Sequence, residues 1–176
     1  MIFSETPLRG AYIIDPERVE DSRGFFARTW SQDEYAARGL TARVVQCSIS
    51  FNKVKGTLRG LHYQTGSHRE AKLVRCTMGA VYDVIVDLRA ESPTYRHHFG
   101  VVLSAQDRRM VFVGEGFAHG FQTLEDGSEV FYQISQFYAP EHATGVRWND
   151  PAFGITWPLR PSVMSDRDRA YPDFVP

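Results

Sequence analysis

The feature that most constrains this chain is a succession of short segments in which apolar and polar residues alternate, each closed by turn-forming residues. From Ala42 onward they run Ala42 to Ser50, Thr57 to Gln64, Ala71 to Thr77, Val81 to Leu88, His98 to Ser104, Met110 to Val113, Ala118 to Leu124 and Glu129 to Tyr138. Between them stand Asn52-Lys53-Val54-Lys55-Gly56, Met78-Gly79-Ala80, Glu91-Ser92-Pro93-Thr94, Ala105-Gln106-Asp107 and Glu125-Asp126-Gly127. Gly, Asn, Asp, Ser and Pro supply the backbone angles and local hydrogen bonds that turns need. A period of two sends successive side chains to opposite faces of a strand. Val81 to Leu88 therefore predicts one buried face and one partly polar face. Strands spaced this evenly predict an all-β fold, either a double-sheet jelly roll or a closed barrel.

Upstream, Gly10 to Ile14 and Phe25 to Trp30 read as two further strands, with Asp21-Ser22-Arg23-Gly24 as a turn between them. Ser31-Gln32-Asp33-Glu34 has the form of a capping box, and Tyr35 to Arg38 followed by Gly39 completes one short helix, the only one expected. After Trp148-Asn149-Asp150-Pro151 the pattern becomes irregular, and by pattern alone the C-terminal tail reads as solvated. No repeat or linker divides the chain, so residues 1–176 are expected to form a single domain large enough to bury a core.

With 20 basic and 21 acidic residues the net charge is −1, which leaves no global field to draw nucleic acid or an anionic membrane. Neither is an expected partner, and an anionic ligand must be met by local charge. Cys47 and Cys76 have no zinc-site spacing and read as reduced packing residues. The N-terminal residues show no basic region followed by an apolar run, and no stretch of eighteen apolar residues occurs, so a soluble cytoplasmic protein is expected.

The chemistry concentrates in Gly56-Thr57-Leu58-Arg59-Gly60-Leu61-His62-Tyr63-Gln64. Simple alternation places Thr57, Arg59, Leu61 and Tyr63 on one face and Leu58, Gly60, His62 and Gln64 on the other. A cation and an imidazole in an otherwise apolar strand cost desolvation energy unless something binds them. A second histidine, His119, lies in the glycine- and aromatic-rich Gly114 to Phe121. Inward-facing histidines in a jelly roll raise the question of a metal, but Gln64 stands where a His-x-His pair would place its second ligand, and neither His68 nor Glu70 completes a set. No metal and no cofactor are expected. Metal-free acid–base work needs a base, a carboxylate to orient it, a cation for oxyanion charge and a proton donor. His62, a tail aspartate, Lys72, and Tyr132 or Tyr138 supply candidates.

Five motifs, in order, carry a resemblance: Gly-x-Leu-Arg-Gly-Leu-His-Tyr-Gln; Lys72-Leu73-Val74-Arg75; Asp87-Leu88-Arg89 with Ser92-Pro93-Thr94; Gly116 to Phe121; and Trp148-Asn149-Asp150-Pro151. From about Asp21 to Asp168 the chain resembles the dTDP-4-dehydrorhamnose 3,5-epimerase family. The resemblance implies a cupin-type double-stranded jelly roll with one short helix and an irregular tail, usually a homodimer. It implies cofactor-free epimerisation of a nucleotide-linked 4-keto-6-deoxy sugar.

By position, the resemblance makes His62 the proton acceptor, Asp168 its carboxylate partner, Lys72 the group that stabilises the C4 enolate and Tyr132 the proton donor. It makes Arg23, Phe26, Gln46, Ser48, Arg59, His119, Tyr138 and Arg167 substrate-binding positions. Arg23 and Arg59 match diphosphate contacts, Tyr138 lines the same cavity, and Arg167 stands where the family commonly has Lys. Departures fall around the nucleotide: one extra residue between Gln46 and Gly56, Ser48 for a usual Asn, Arg28 for a commonly acidic residue and Ala143 for a Glu. The resemblance therefore implies the reaction type more firmly than the nucleotide. A single-centre epimerase, a 3,4-ketoisomerase and a non-catalytic sugar-nucleotide-binding cupin are the alternatives.

Overall fold

A computed structural model describes residues 1–175; Pro176, the last residue of the expected domain, lies outside them. Thirteen strands form: β1 (Ile2–Glu5), β2 (Ala11–Asp15), β3 (Arg18–Asp21), β4 (Gly24–Ala27), β5 (Gln46–Asn52), β6 (Leu58–Gln64), β7 (Lys72–Met78), β8 (Ala80–Asp87), β9 (His98–Ser104), β10 (Met110–Val113), β11 (Phe117–Thr123), β12 (Ser128–Ile134) and β13 (Ala143–Gly145). They make a six-stranded sheet in the order β1-β2-β10-β7-β12-β5, a five-stranded sheet in the order β13-β6-β11-β8-β9, and the separate hairpin β3-β4. The named strand pairs are antiparallel. The fold is all-β, a cupin-type jelly roll of two opposed sheets.

Alternation explains the core. Val74 and Cys76 of β7, Val111 and Val113 of β10 and Val130 of β12 pack against Val81 and Ile85 of β8, Leu103 of β9, and Phe117 and Phe121 of β11. The outer face of the six-stranded sheet is covered around Tyr35 of helix α1 (Gln32–Ala36), which packs with Ile14, Leu73, Met110 and Phe112. The outer face of the five-stranded sheet is covered by residues beyond β13, with Val146, Phe153 and Trp157 against Leu61, Val84, Val86 and Ala118. Both faces of β8 are thus buried, which corrects the expectation of one partly polar face. Its polar members, Asp83 and Asp87, point into the molecule and are 1% and 0% exposed.

Three other expectations change. Ser31 occupies the N-cap of α1, but its side chain makes no capping hydrogen bond; Glu34 instead meets the Met1 amine at 3.2 Å. β12 ends at Ile134, which leaves Tyr138 on a following strap rather than on the same strand. The tail is largely exposed, as its pattern suggested, but it is docked on β6 through buried Asp168 and holds an unexpected second helix, α2 (Asp166–Arg169), capped by Ser165, whose hydroxyl accepts from the Asp168 N–H. Buried Gln122 fixes the approach to α2 by pairing its amide with both backbone groups of Leu159. No helix among the described residues is long and apolar enough to cross a membrane.

Candidate active site

β6 departs from simple alternation, and the site follows from that departure. His62 pairs with His119 of β11, yet Arg59 pairs with Phe121: three steps along β6 match two along β11. This is a β-bulge, the extra residue lying between Arg59 and His62. The bulge re-phases the strand, so Arg59 and His62 line one cavity instead of opposite faces. Gly60 permits it, with φ +118° and with backbone so close to β11 that a Cβ would lie 2.6 Å from Gly120 Cα and 2.8 Å from the His119 carbonyl oxygen.

The cavity holds about 400 Å³ and is lined by strands of both sheets. The five-stranded sheet supplies Arg59, His62 and His119; the six-stranded sheet supplies Gln46 and Ser48 from β5, Lys72 from β7 and Tyr132 from β12. Register brings the last group together, since Tyr132 pairs with Ser48 while Ile134 pairs with both Gln46 and Lys72. Tyr138 of the strap and Arg167 of α2 complete the mouth. Gln46 Oε1 accepts from the Tyr138 N–H at 2.8 Å.

Asp168 stands behind His62, 3% exposed, with Oδ1 2.7 Å from His62 Nε2 and Oδ2 accepting the Gly60 N–H at 3.1 Å. Burial pushes its pKa up, but hydrogen bonding and charge from His62, with the Gly60 and Ser165 contacts, outweigh burial and hold it below the usual carboxylate value. An ionised carboxylate only accepts, so Nε2 donates to it, and in the neutral imidazole the lone pair is then on Nδ1. The imidazole is 42% exposed and open to the cavity.

Lys72 Nζ lies 2.9 Å from Glu70 Oε1 in a pair only 12% and 11% exposed. Glu70 Oε2 also accepts from Gln64 Nε2 at 3.0 Å, and Gln64 Oε1 accepts the Ala139 N–H at 2.7 Å. Gln64 therefore ties the strap bearing Tyr138 to β6. Tyr132 packs edge-on to His119 at 6.1 Å, and burial raises its pKa far above the usual phenol value, so it keeps its proton. His119 Nε2 lies 2.8 Å from Asp83 Oδ2. Among the described residues no group of three or more His, Cys, Asp or Glu side chains is placed to hold a metal ion.

Arg23 and Phe26 do not line this cavity. They lie on the β3-β4 hairpin, where the Arg23 side chain is 88% exposed and bonded to Asp21, and Phe26 is 70% exposed. Sequence reasoning missed Glu70 as the partner of Lys72, Asp83 as the partner of His119, and Gly60 and Tyr171 as neighbours of His62. The inward phase shared by Asp83 with Val81 and Ile85 was the available signal for one of them, and an isolated glycine in a strand was the signal for another.

A model of the dTDP-4-dehydrorhamnose 3,5-epimerase family matches residues 5–175. The chain belongs to this family. The dTDP-4-dehydrorhamnose 3,5-epimerase of Methanothermobacter thermautotrophicus is 44% identical over 170 residues, covering 95% of this chain and 91% of that one. The crystal structure of the Elizabethkingia anophelis dTDP-4-dehydrorhamnose 3,5-epimerase superposes with a TM-score of 0.96 at 38% identity, covering 99% and 96% of the two chains. That of Bacillus anthracis, with TDP and PPi bound, gives 0.94 at 39% identity, covering 98% and 99%. As a member of the epimerase family the chain is an enzyme of the isomerase class.

Proposed function

We propose that this enzyme epimerises C3, C5 or both in a dTDP-linked 4-keto-6-deoxyhexose, through a C4 enolate and without a metal, in deoxysugar biosynthesis of the dTDP-L-rhamnose kind. The observation that carries the reading is the descent of His62 and Tyr132 from opposite sheets onto one cavity, with Lys72 one strand from Tyr132. Both C3 and C5 neighbour the C4 ketone, so each bears an acidified proton. His62 Nδ1 removes it, and Asp168 stabilises the imidazolium that forms. Lys72 meets the developing oxyanion with a charge already fixed by Glu70. Tyr132, still protonated, returns a proton from the other wall, and return from the opposite face is inversion.

Arg59 and Arg167, both exposed at the mouth, take the diphosphate, and Gln46 and Ser48 lie toward the base. His119 and Tyr138 contact the sugar. The TDP held by the Bacillus anthracis relative supports dTDP as the nucleotide. We further propose a cytoplasmic homodimer of single-domain chains, in which the β3-β4 hairpin of one copy carries Arg23 and Phe26 to the cavity of the other. Exposed Val19 and Phe26, 69% and 70% accessible, give that hairpin an apolar face for the purpose.

The test is incubation with dTDP-, CDP-, UDP- and GDP-4-keto-6-deoxyhexoses in deuterated water, followed by NMR. Deuterium entry with inversion at C3 or C5 of the dTDP sugar is expected. Binding without exchange would instead mark a non-catalytic cupin, and product stereochemistry separates a single-centre epimerase from a double one.

A further inference from the structure

Among the described residues the imidazole of His62 is hydrogen-bonded at one atom, by Asp168, and much of it faces the cavity. A ring held at a single nitrogen can still swing about that contact. Its other neighbour is Tyr171, whose ring meets it edge-on with centroids 6.1 Å apart and planes at 65°. The position of Tyr171 is built by three elements. Gly145 of β13 lies directly opposite His62 in the β13–β6 register, and a Cβ there would come within 2.5 Å of Tyr171 Cε2 and Cζ. The missing side chain is therefore the slot that the Tyr171 ring fills. Tyr171 also follows directly on the C-cap of α2, Ala170, so the docked tail turn delivers both the Asp168 carboxylate and the Tyr171 ring to His62. The guanidinium of Arg167 lies over the ring, 5.9 Å from its centroid.

Resting on the reading of His62 as the base, we propose that Tyr171 is a positioning residue that fixes the plane of the His62 imidazole, so that Nδ1 points at the substrate carbon while Asp168 holds Nε2. The ring rather than the hydroxyl performs this task, because it is the ring that meets the imidazole edge-on, while the Tyr171 hydroxyl makes no hydrogen bond to His62 or Asp168. Proton transfer between positioned groups is sensitive to small displacements, and a misplacement of about 1 Å costs roughly 100-fold in rate.

Tyr171→Ala is expected to lower kcat by roughly 10–100-fold with a much smaller change in KM, the latter through the Arg167 that lies over the ring, and Tyr171→Phe, which restores the ring, to bring kcat back. A merely structural ring would lower the yield of folded protein and leave kcat per folded molecule alone, so the KM-against-kcat split and the Phe rescue separate the two roles. A measurement on the parent protein covers the case in which Tyr171→Ala does not fold: nuclear Overhauser contacts between the His62 and Tyr171 ring protons should persist with TDP bound. Their absence, or parent-level kcat in folded Tyr171→Ala, overturns the assignment. His62→Ala run beside these variants keeps two failures apart. If it stays active, the His62 reading itself has failed; if it is dead while Tyr171→Ala is unimpaired, only the role of Tyr171 has.

Discussion

Asp168 grips His62 and the strand that carries it together: one carboxylate oxygen lies 2.7 Å from the imidazole Nε2 and the other accepts the Gly60 N–H at 3.1 Å. The bulge that brings His62 into the cavity thus also turns a backbone donor toward the residue that orients it. Asp168 comes from α2, more than a hundred residues away in sequence, so the catalytic pair also records how the tail docks on β6.

Asp168→Asn tests the tautomer directly. An asparagine can keep the Gly60 contact through its oxygen, but its amide then donates to Nε2, which forces the imidazole proton onto Nδ1. The base loses its lone pair with the geometry intact. A fall in kcat of roughly 10²–10⁴-fold is expected, with nucleotide binding retained. Parent-level turnover would place the base elsewhere.

Arg59→Ala tests the anion site. Arg59 Nε donates to Asn52 Oδ1 at 2.7 Å, which holds the guanidinium in place while it lines the cavity. Losing one charge-assisted contact should weaken TDP binding by about 1.5–3 kcal/mol. Calorimetric titration reads it, and undiminished affinity would remove Arg59 from the diphosphate site.

The placement of Arg23 tests the assembly. Arg23→Ala and His62→Ala are each expected to be inactive. Mixed under conditions that exchange subunits, they should regain activity, because a heterodimer then holds one cavity with both His62 and a donated Arg23. No recovery despite proven exchange would contradict the donation of the hairpin.

Most strands and their order along the chain were legible because burial on a pleated sheet imposes period two, whereas β1, β3 and β13, only three or four residues long, were not read; most cavity residues were reached through the family resemblance of the motifs around His62, Lys72 and His119. Arg59 was assigned to the face opposite His62 because alternation assumes an unbroken ladder; the bulge at Gly60 belongs to the pairing with β11 and not to β6 alone. The tail turn was missed although Ser165-Asp166-Arg167-Asp168 has the same form as Ser31-Gln32-Asp33-Glu34. A four-residue helix carries too few residues to show a period, and what holds it is long-range contact with β6. The β3-β4 hairpin was half legible, its turn read from Asp21 to Gly24 but its exposure invisible to local pattern.

Asp87 gives a prediction about stability. It is fully buried and accepts from Arg89, Ser92 and Thr94 side chains, which overcome the cost of burial and hold its pKa at about 2. A depressed folded-state pKa contributes stability that is present above the unfolded carboxylate value and is lost as pH falls toward the folded one. The contribution at neutral pH is about 2 kcal/mol, lost between roughly pH 4 and pH 2. Urea midpoints should fall across this window more steeply in the parent than in Asp87→Asn. Parallel curves would contradict the assignment.

The central claim is that His62 takes the proton and Tyr132 returns one from the opposite sheet, and deuterium exchange at C3 and C5 tests it most directly. In deuterated water with a dTDP-4-keto-6-deoxyhexose, His62→Ala should abolish deuterium entry at both centres. Tyr132→Phe should permit entry with retention while blocking inversion. Deuterium entering at C3 or C5 of the His62→Ala protein at the parent rate, or inversion proceeding unimpaired in Tyr132→Phe, would contradict the account.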